Sequence, residues 1–174
     1  MGIILDSIRT IPDFPTKGVM FRDITTLLKD PIAMTATIDE IADSLVGVDF
    51  NYVAGPESRG FIFGMPIAYN MKKGFIPVRK KGKLPAEVVS KEYNLEYGTE
   101  VIEIHKDAIN PGDKVVIVDD LLATGGTAKA ICELVEEMGG EIVALRFAIE
   151  LPDLGARKLL QGYDVQTVVA FEGD

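Results

Sequence analysis

Residues 115–130, VVIVDDLLATGGTAKA, carry the strongest structural signal in the sequence. Four β-branched apolar residues lead into Asp119 and Asp120, and residues 124–127, Thr-Gly-Gly-Thr, then open a run with helical periodicity. A continuous β-branched run is typical of a strand that is covered on both faces. The stretch therefore predicts a central strand of a parallel sheet, followed by a loop at the ligand-binding edge and the start of a helix.

The loop in this stretch is suited to a phosphate group. The first turn of a helix leaves backbone N–H groups unpaired and carries the positive end of the helix dipole. Glycines let a ligand approach the backbone, and threonines add hydroxyl donors. We therefore expect a phosphate at Ala123, Thr124, Gly125, Gly126 and Thr127.

The two carboxylates need a different partner, because Asp119 and Asp120 would repel a phosphate. Sugar hydroxyls, or a divalent cation bound to the same ligand, suit them better, and a phosphorylated ribose satisfies both ends of the site. A plain structural interpretation stays open: a strand capped by an Asx turn before an ordinary helix. The Walker phosphate loop and the G-x-G-x-x-G dinucleotide motif are both absent from the sequence.

Length and composition indicate one cytoplasmic domain. A chain of 174 residues buries about 70% of its unfolded surface in a single core, so we expect one domain over residues 1–174. Apolar residues make up 47% of the chain, yet no stretch approaches the roughly 20 apolar residues of a membrane span. The N-terminus shows neither a basic leader nor a long apolar segment, which indicates no secretory signal.

Charge and cysteine content exclude further classes. The net charge of −9 disfavours the broad basic surface that nonspecific nucleic-acid binding requires. Cys132 is the only cysteine, which rules out an intrachain disulfide and a multi-cysteine metal site. Packing is the expected role of Cys132 and of His105, the only histidine.

Helix and strand patterns alternate along the rest of the chain and predict an α/β fold with a mainly parallel, twisted sheet flanked by helices. Helices are expected at 3–9, 30–47, 61–71, 127–138 and 152–160, and strands at 51–55, 74–80, 101–106, 114–120, 141–150 and 164–171. Pro12, Pro15 and Gly18 predict irregular structure over residues 10–25. Residues 80–98 begin charged and turn-rich and continue with alternating apolar positions, so we interpret them as a mobile hairpin lid.

A second ligand-facing loop is expected at residues 55–60, GPESRG, just past a strand. The Ser58 hydroxyl, the backbone amides and the Arg59 guanidinium suit a pyrophosphate. The alternative is an ordinary surface turn.

Residues 78–85, VRKKGKLP, gather cations in an otherwise acidic chain. Such a run is usually a solvated face, but beside a polyanion site it favours Arg79 and Lys83 as pyrophosphate contacts.

Five motifs together resemble the type I phosphoribosyltransferases, and the resemblance covers nearly the whole chain. They are VVIVDDLLATGGTA (115–128), PDFPTKGVMFRDITTLLKDP (12–31), VAGPESRGFIFG (53–64), VRKKGKLP (78–85) and YNLEYG (93–98). The first resembles the family's phosphoribosyl pyrophosphate signature, in the variant that members acting on adenine carry.

The resemblance implies a reaction and a division of the site. The phosphoribosyl group of phosphoribosyl pyrophosphate is transferred to adenine, giving AMP and pyrophosphate in purine salvage, with Mg²⁺ bound to the donor. The ribose 5-phosphate would lie at Asp119, Asp120 and 123–127, with any contact of the aspartates to the metal indirect. The pyrophosphate would lie at Glu57, Ser58, Arg59, Arg79 and Lys83, with the Glu57–Ser58 peptide strained or cis.

The same resemblance assigns the base and the moving parts. Phe21 would stack on adenine opposite Leu121, while backbone groups near Met20 and Arg22 read the edge of the base. Glu96 would lie at the purine, where a carboxylic acid can share a proton with a ring nitrogen. The implied catalytic residues are Glu96, Arg59, Asp119 and Asp120. A base-binding hood (1–30), the 80–98 lid and a homodimer complete the expectation.

Two other functions remain open on the sequence. One is a phosphoribosyltransferase for xanthine, guanine or orotate. The other is a non-catalytic regulator that senses phosphoribosyl pyrophosphate and binds nucleic acid. The charge balance disfavours the regulator, and no helix-turn-helix pattern precedes the domain.

Overall fold

The structure is a computed structural model that describes residues 2–95 and 98–173. The helices are α1 (Gly2–Ser7), α2 (Thr25–Lys29), α3 (Pro31–Asp43), α4 (Arg59–Asn70), α5 (Gly126–Glu137) and α6 (Ala156–Leu159), with a 3₁₀ turn at Pro152–Leu154. The strands are β1 (Arg9–Pro12), β2 (Met20–Asp23), β3 (Tyr52–Pro56), β4 (Gly74–Lys80), β5 (Val88–Leu95), β6 (Gly98–His105), β7 (Lys114–Leu122), β8 (Glu141–Glu150) and β9 (Val165–Ala170). No helix within the described ranges has the length and apolar character that a membrane crossing needs.

The main sheet has the strand order β5-β6-β4-β3-β7-β8-β9. The pairs from β4 through β3, β7 and β8 to β9 are parallel, whereas β6 runs antiparallel to both β4 and β5. The α/β prediction with a mainly parallel sheet is therefore confirmed. Parallel strands direct their carboxyl ends to one edge, so the loops after β3, β4 and β7 meet there.

The central position of β7 explains its β-branched run. Successive side chains of a strand point to opposite faces. Val116 and Val118 are buried in the layer that includes α1, α3 and α4, while Val115 and Ile117 are buried against α5 and α6. Both faces of the strand are therefore buried from solvent, as the sequence pattern indicated.

The prediction of irregular structure over residues 10–25 is wrong at both ends of that segment. β1 and β2 pair antiparallel, and the Pro- and Gly-rich residues form the connection between them. Pro12 is tolerated because it is the last residue of β1. A side-chain hydrogen bond from Arg9 to the Asp23 carboxylate ties the outer ends of the pair together.

The hood is anchored to the main sheet through an arginine. The Arg22 guanidinium of β2 lies 4.3 Å from the centre of the Phe171 ring, just after β9. Phe171 N–H donates to the carbonyl of Glu150, the last residue of β8. These contacts hold β1 and β2 at the carboxyl edge of the sheet.

The segment interpreted as a lid contributes an edge strand. β5 pairs with β6 along its whole length, so the two strands form a hairpin. β6 corresponds to the strand that the sequence predicted at 101–106, but it begins earlier, at Gly98. Lys91 on β5 forms ion pairs with Glu137 and, at 3.3 Å, with Glu133 of α5. Opening and closure of the lid stay a prediction.

Candidate active site

Two adjoining cavities lie at the carboxyl edge of the sheet and share Arg59, Asp119, Asp120 and Thr127. The first is also lined by Pro56, Glu57, Val78, Arg79, Lys80, Tyr93, Glu100 and Ile102. The second is also lined by Leu121, Leu122, Ala123, Thr124, Gly125, Gly126, Ala128 and Phe147. The phosphate region predicted at 123–127 and three of the residues predicted at the pyrophosphate, Glu57, Arg59 and Arg79, therefore line adjoining cavities that meet at the acidic pair, Asp119 and Asp120.

The acidic pair is held rigidly. Asp120 is buried, and its Oδ2 forms an ion pair with Arg59 Nε at 2.9 Å. The Asp120 backbone N–H donates to Asp119 Oδ1 at 2.8 Å. Because the end of β7 and the first residue of α4 are linked in this way, the floor of the cleft is fixed from two elements.

The pKa of Asp119 lies well above the usual range for a carboxyl group. Burial is the main cause, the nearby charge of Asp120 adds to it, and Arg59 opposes it. The oxygens of the Asp119 carboxyl group accept hydrogen bonds, so Asp119 is suited to hydroxyl partners.

Two glycines allow this arrangement, and sequence reasoning missed their role. A Cβ on Gly55 would lie 2.9 Å from the Gly60 carbonyl oxygen and 3.0 Å from that of Val118. A Cβ on Gly60 would lie 2.6 Å from Pro56 Cδ and 3.1 Å from Asp119 Oδ1. The start of α4 therefore approaches β3 and β7 more closely than any side chain permits. The glycines that begin and end the GPESRG motif, Gly55 and Gly60, are the sequence signal for this contact.

The phosphate loop has the geometry expected of a helix start. Gly125 precedes α5 with φ +85°, in the left-handed region, and a Cβ there would lie 3.1 Å from Ala156 Cβ. Gly125 has no side chain with which to cap the helix, and residues 126–128 of the first turn form part of the cavity wall. Their amide groups are thus placed to receive an anion.

On the opposite side, Glu57 orders the cations. Its Oε1 accepts hydrogen bonds from Lys80 N–H at 2.8 Å and from Arg79 Nε at 3.3 Å. The Lys80 hydrogen bond and the charges of Arg79 and Lys83 lower the pKa of Glu57. An ionised carboxylate repels phosphate, so Glu57 is suited to positioning Arg79 rather than to contacting an anion.

The other predicted pyrophosphate residues are placed unequally. Ser58 precedes α4, and the Glu57–Ser58 peptide is cis, which confirms that expectation. Arg79 lines the first cavity. Lys83 lies in the turn after β4, where its N–H donates to the Lys80 carbonyl, outside the two cavities. Lys83 as a direct contact therefore requires the turn to move.

Three residues of the cleft wall were also missed by sequence reasoning. Tyr93 O–H donates to Glu100 Oε2 at 3.0 Å and lies 3.1 Å from Thr127 Oγ1, and Lys80 Nζ donates to Glu100 Oε1 at 3.3 Å. Burial is the main cause that raises the pKa of Tyr93, so its phenol keeps its proton. Tyr93 and Glu100 read as ordinary members of an alternating strand pattern, and only the pairing of β5 with β6 brings them to the cleft.

The predicted base site is distributed between the hood and the end of β7. Leu121 lines the second cavity. Phe21 packs edge to face on Phe14, with ring centres 5.1 Å apart, and Met20 is exposed. Stacking of a base between Phe21 and Leu121 stays a prediction. Glu96 lies outside the residues that the structure describes.

The packing role expected of Cys132 is confirmed. Its thiol is fully buried, and burial raises its pKa to about 12. Within residues 2–95 and 98–173, no group of three or more histidine, cysteine, aspartate or glutamate side chains could hold a metal ion.

Comparison with known proteins identifies relatives over nearly the full length. A family model described as "Phosphoribosyl transferase domain" matches residues 26–169. The adenine phosphoribosyltransferase of Agathobacter rectalis is 59% identical over 173 residues, which cover 99% of each chain. The crystal structure of the Thermoanaerobacter pseudethanolicus adenine phosphoribosyltransferase superposes with a TM-score of 0.94 at 54% identity, covering 97% of this chain and 98% of the other. The Giardia lamblia enzyme complexed with 9-deazaadenine gives a TM-score of 0.92 at 36% identity, covering 98% and 97%.

Proposed function

We propose that this chain uses the cleft described above to transfer the phosphoribosyl group of phosphoribosyl pyrophosphate to adenine. The chain belongs to the phosphoribosyltransferase family and within it to the adenine phosphoribosyltransferases. The products are AMP and pyrophosphate, and the role is purine salvage. The observation that carries this assignment of the site is the acidic pair between two anion-binding walls. A ligand with a phosphate at one end, a pyrophosphate at the other and hydroxyls between them fits that order of surfaces.

The reaction requires little covalent chemistry from the protein. The bond between C1 of the ribose and the pyrophosphate oxygen breaks, and pyrophosphate leaves with the electron pair. A ring nitrogen of adenine forms the new bond to C1 and loses its proton. Positive charge develops on the sugar, so the protein accelerates the reaction mainly by positioning and by stabilising the leaving group.

Each wall has a defined task in this proposal. Residues 123–127 hold the 5-phosphate through backbone amides and hydroxyls. Asp119 and Asp120 orient the ribose hydroxyls. Arg59 holds Asp120 at 2.9 Å and, with Arg79, supplies positive charge near the leaving group. Ser58 and the 80–98 lid, which carries Lys83, complete the pyrophosphate side and exclude water when the lid closes.

The base is assigned to the hood. Phe21 and Leu121 would sandwich the purine ring, and backbone groups near Met20 and Arg22 would read its edge. Support comes from the anchoring of β2 at the carboxyl edge of the sheet and from the Giardia lamblia relative, which was crystallised with 9-deazaadenine. Glu96 remains proposed as the group that exchanges a proton with the purine.

Magnesium is proposed to enter with the donor substrate. Carboxylate oxygens are ligands that Mg²⁺ prefers, and Asp119 and Asp120 supply them at the cleft floor. Asp120 is already engaged by Arg59, which suits an indirect contact through water or ribose hydroxyls. The ion would neutralise charge on the pyrophosphate.

We also propose a homodimer. Ile62, Met65 and Tyr69 lie on one face of α4 and are 40%, 49% and 78% exposed. An apolar stripe at this spacing is typical of a helix with a missing partner. The stripe continues from Arg59, so a second copy there would also cover the open pyrophosphate side. Sedimentation of the wild type as a monomer at micromolar concentration would contradict this assembly.

The assignment is tested by turnover with each base in turn. Purified protein is incubated with phosphoribosyl pyrophosphate and Mg²⁺, together with adenine, guanine, xanthine or orotate, and the nucleotide formed is measured. AMP should accumulate with adenine and fall sharply in Asp120→Asn, which keeps the shape of the side chain but removes its charge. A folded wild-type protein that forms no AMP would refute the function.

A further inference from the structure

Glu100 is a carboxylate in the wall of the proposed pyrophosphate cavity, beside the cations Arg59, Arg79 and Lys80. It lies on β6 and lines the same cavity as Arg59, Arg79 and Lys80. A negative charge in this position opposes the binding of a polyanion. Its hydrogen bonds indicate what it does instead.

Glu100 engages one donor on the pyrophosphate side directly. Its Oε1 accepts from Lys80 Nζ at 3.3 Å, and Lys80 extends from the end of β4 beside Arg79. Both side chains of this ion pair are partly exposed to the cleft, at 59% for Lys80 and 36% for Glu100. The lysine can therefore exchange the carboxylate for another anion without a rearrangement of the core.

Glu100 engages a second donor, Thr127, through Tyr93. A phenol has one proton, and Tyr93 gives it to Glu100 Oε2 at 3.0 Å. In the 3.1 Å contact between Tyr93 and Thr127, the threonine hydroxyl is then the donor. Phosphate oxygens only accept hydrogen bonds, so Thr127 cannot donate to a phosphate at the start of α5 and to Tyr93 at the same time.

We infer that Glu100 competes with the phosphate groups of the substrate for two hydrogen-bond donors. When no substrate is bound, Glu100 engages Lys80 directly and Thr127 through Tyr93. The inference rests on the proposed function of the cleft. Phosphoribosyl pyrophosphate must displace both contacts, and they re-form as the products leave. Glu100 and Tyr93 are positioning residues in this scheme, because they act through Lys80 and Thr127.

The test compares the affinities for the two separated ends of the substrate. Calorimetric titration with inorganic pyrophosphate and with ribose 5-phosphate, both in Mg²⁺ buffer, is carried out on the wild type, Glu100→Gln and Tyr93→Phe. An ion pair between exposed side chains changes an equilibrium by up to about fivefold, so Glu100→Gln should bind pyrophosphate tighter by about twofold to fivefold. Loss of one neutral hydrogen bond changes an equilibrium by about threefold to tenfold, so Tyr93→Phe should tighten ribose 5-phosphate by that factor and leave pyrophosphate unchanged.

Glu87→Gln is the matched control. It removes the same charge from the segment that leads into β5, but Glu87 is 84% exposed and pairs with Lys106, away from the cleft. Both affinities should stay at the wild-type value in this variant. A similar gain in Glu87→Gln would attribute the effect to net charge and overturn the inference.

The remaining outcomes separate this inference from the function. Binding of both ligands by the wild type, with no gain in Glu100→Gln or Tyr93→Phe, would overturn the competitor role and leave the function intact. A wild type that binds neither ligand would overturn both. The Lys80–Glu100 and Tyr93–Thr127 contacts are tested with different ligands, so a folding defect in one variant, detected by its melting temperature, leaves the other decisive.

Discussion

Gly60→Ala tests whether the close approach of α4 to the acidic pair is required. The added methyl group would lie 2.6 Å from Pro56 Cδ, whereas ordinary contacts begin near 3.4 Å, so α4 and β3 must separate by about 0.8 Å. Pro56 is a ring within the strand end and cannot rotate away. Overpacking of this kind costs about 1–3 kcal/mol, which lowers Tm by about 2–12 °C for a chain of this length.

The same displacement should reach the chemistry. Arg59 immediately precedes Gly60 and holds Asp120, and Asp119 Oδ1 would itself lie 3.1 Å from the new methyl group. A misplacement of about 1 Å can lower a rate by about 100-fold, so we expect kcat/KM for phosphoribosyl pyrophosphate to fall by about 10- to 100-fold. Steady-state AMP formation and calorimetric melting provide the two measurements.

Gly126→Ala is the control for the melting measurement. It too stands in the first turn of a helix beside the cleft, but its Cβ would meet only Thr124 Oγ1, at 3.8 Å. Alanine in a helix stabilises by about 0.5–1 kcal/mol relative to glycine, so Tm should rise slightly. The reasoning fails if Gly60→Ala melts with the wild type and retains its kcat/KM.

Three further substitutions test charge and backbone. Asp119→Asn should raise Tm at neutral pH and lower AMP formation. The pKa of Asp119 is raised in the folded protein, so ionisation of Asp119 destabilises the fold as pH rises above 3.8. In calorimetry, the gain in Tm should vanish near pH 3. The Tm of Asp23→Asn should fall less than that of the wild type between about pH 5 and about pH 2. The Arg9 hydrogen bond holds the pKa of Asp23 at about 2, so the stability that ionised Asp23 contributes to the wild type disappears as pH falls through that value. An acid profile identical to the wild type would contradict this. Gly125→Ala should destabilise by about 1–2 kcal/mol through its φ of +85° and raise KM for phosphoribosyl pyrophosphate; an unchanged Tm would show that the left-handed conformation is not required.

The parts of the site that lie close in sequence could be predicted from the sequence. Strand, acidic pair and helix start occur together in residues 115–130, and hydrophobic periodicity with glycine placement is enough to order them. The helix that begins at Pro31 shows the same locality: the residue before it is Asp30, a type that favours helix N-caps, and its carboxylate accepts from the N–H groups of Ile32 and Ala33. The chemistry of such segments depends on neighbours a few residues away.

Contacts between distant segments could not be predicted in this way. The pairing of β5 with β6 brings Tyr93 within 3.1 Å of Thr127, 34 residues away, and no local pattern records it. Likewise, Glu57 was expected at the pyrophosphate, and the sequence does not indicate that it also engages Arg79 and Lys80 at the end of β4, 22 and 23 positions on. Such partners follow from the order of strands in the sheet, and alternation along a strand does not specify that order.

The strand order has a consequence for how the protein acquires activity. The two walls of the cleft belong to strands on either side of β3, and about 60 residues of the chain, which include α4, β4, β5 and β6, separate β3 from β7. Parallel pairing over such a separation is slow, because the entropy of loop closure opposes it before the contact is made. During refolding, helical signal should therefore return before ligand binding does, and a chain arrested before β3 pairs with β7 would lack the cleft between the two walls. Recovery of pyrophosphate binding thus reports the pairing of β3 with β7.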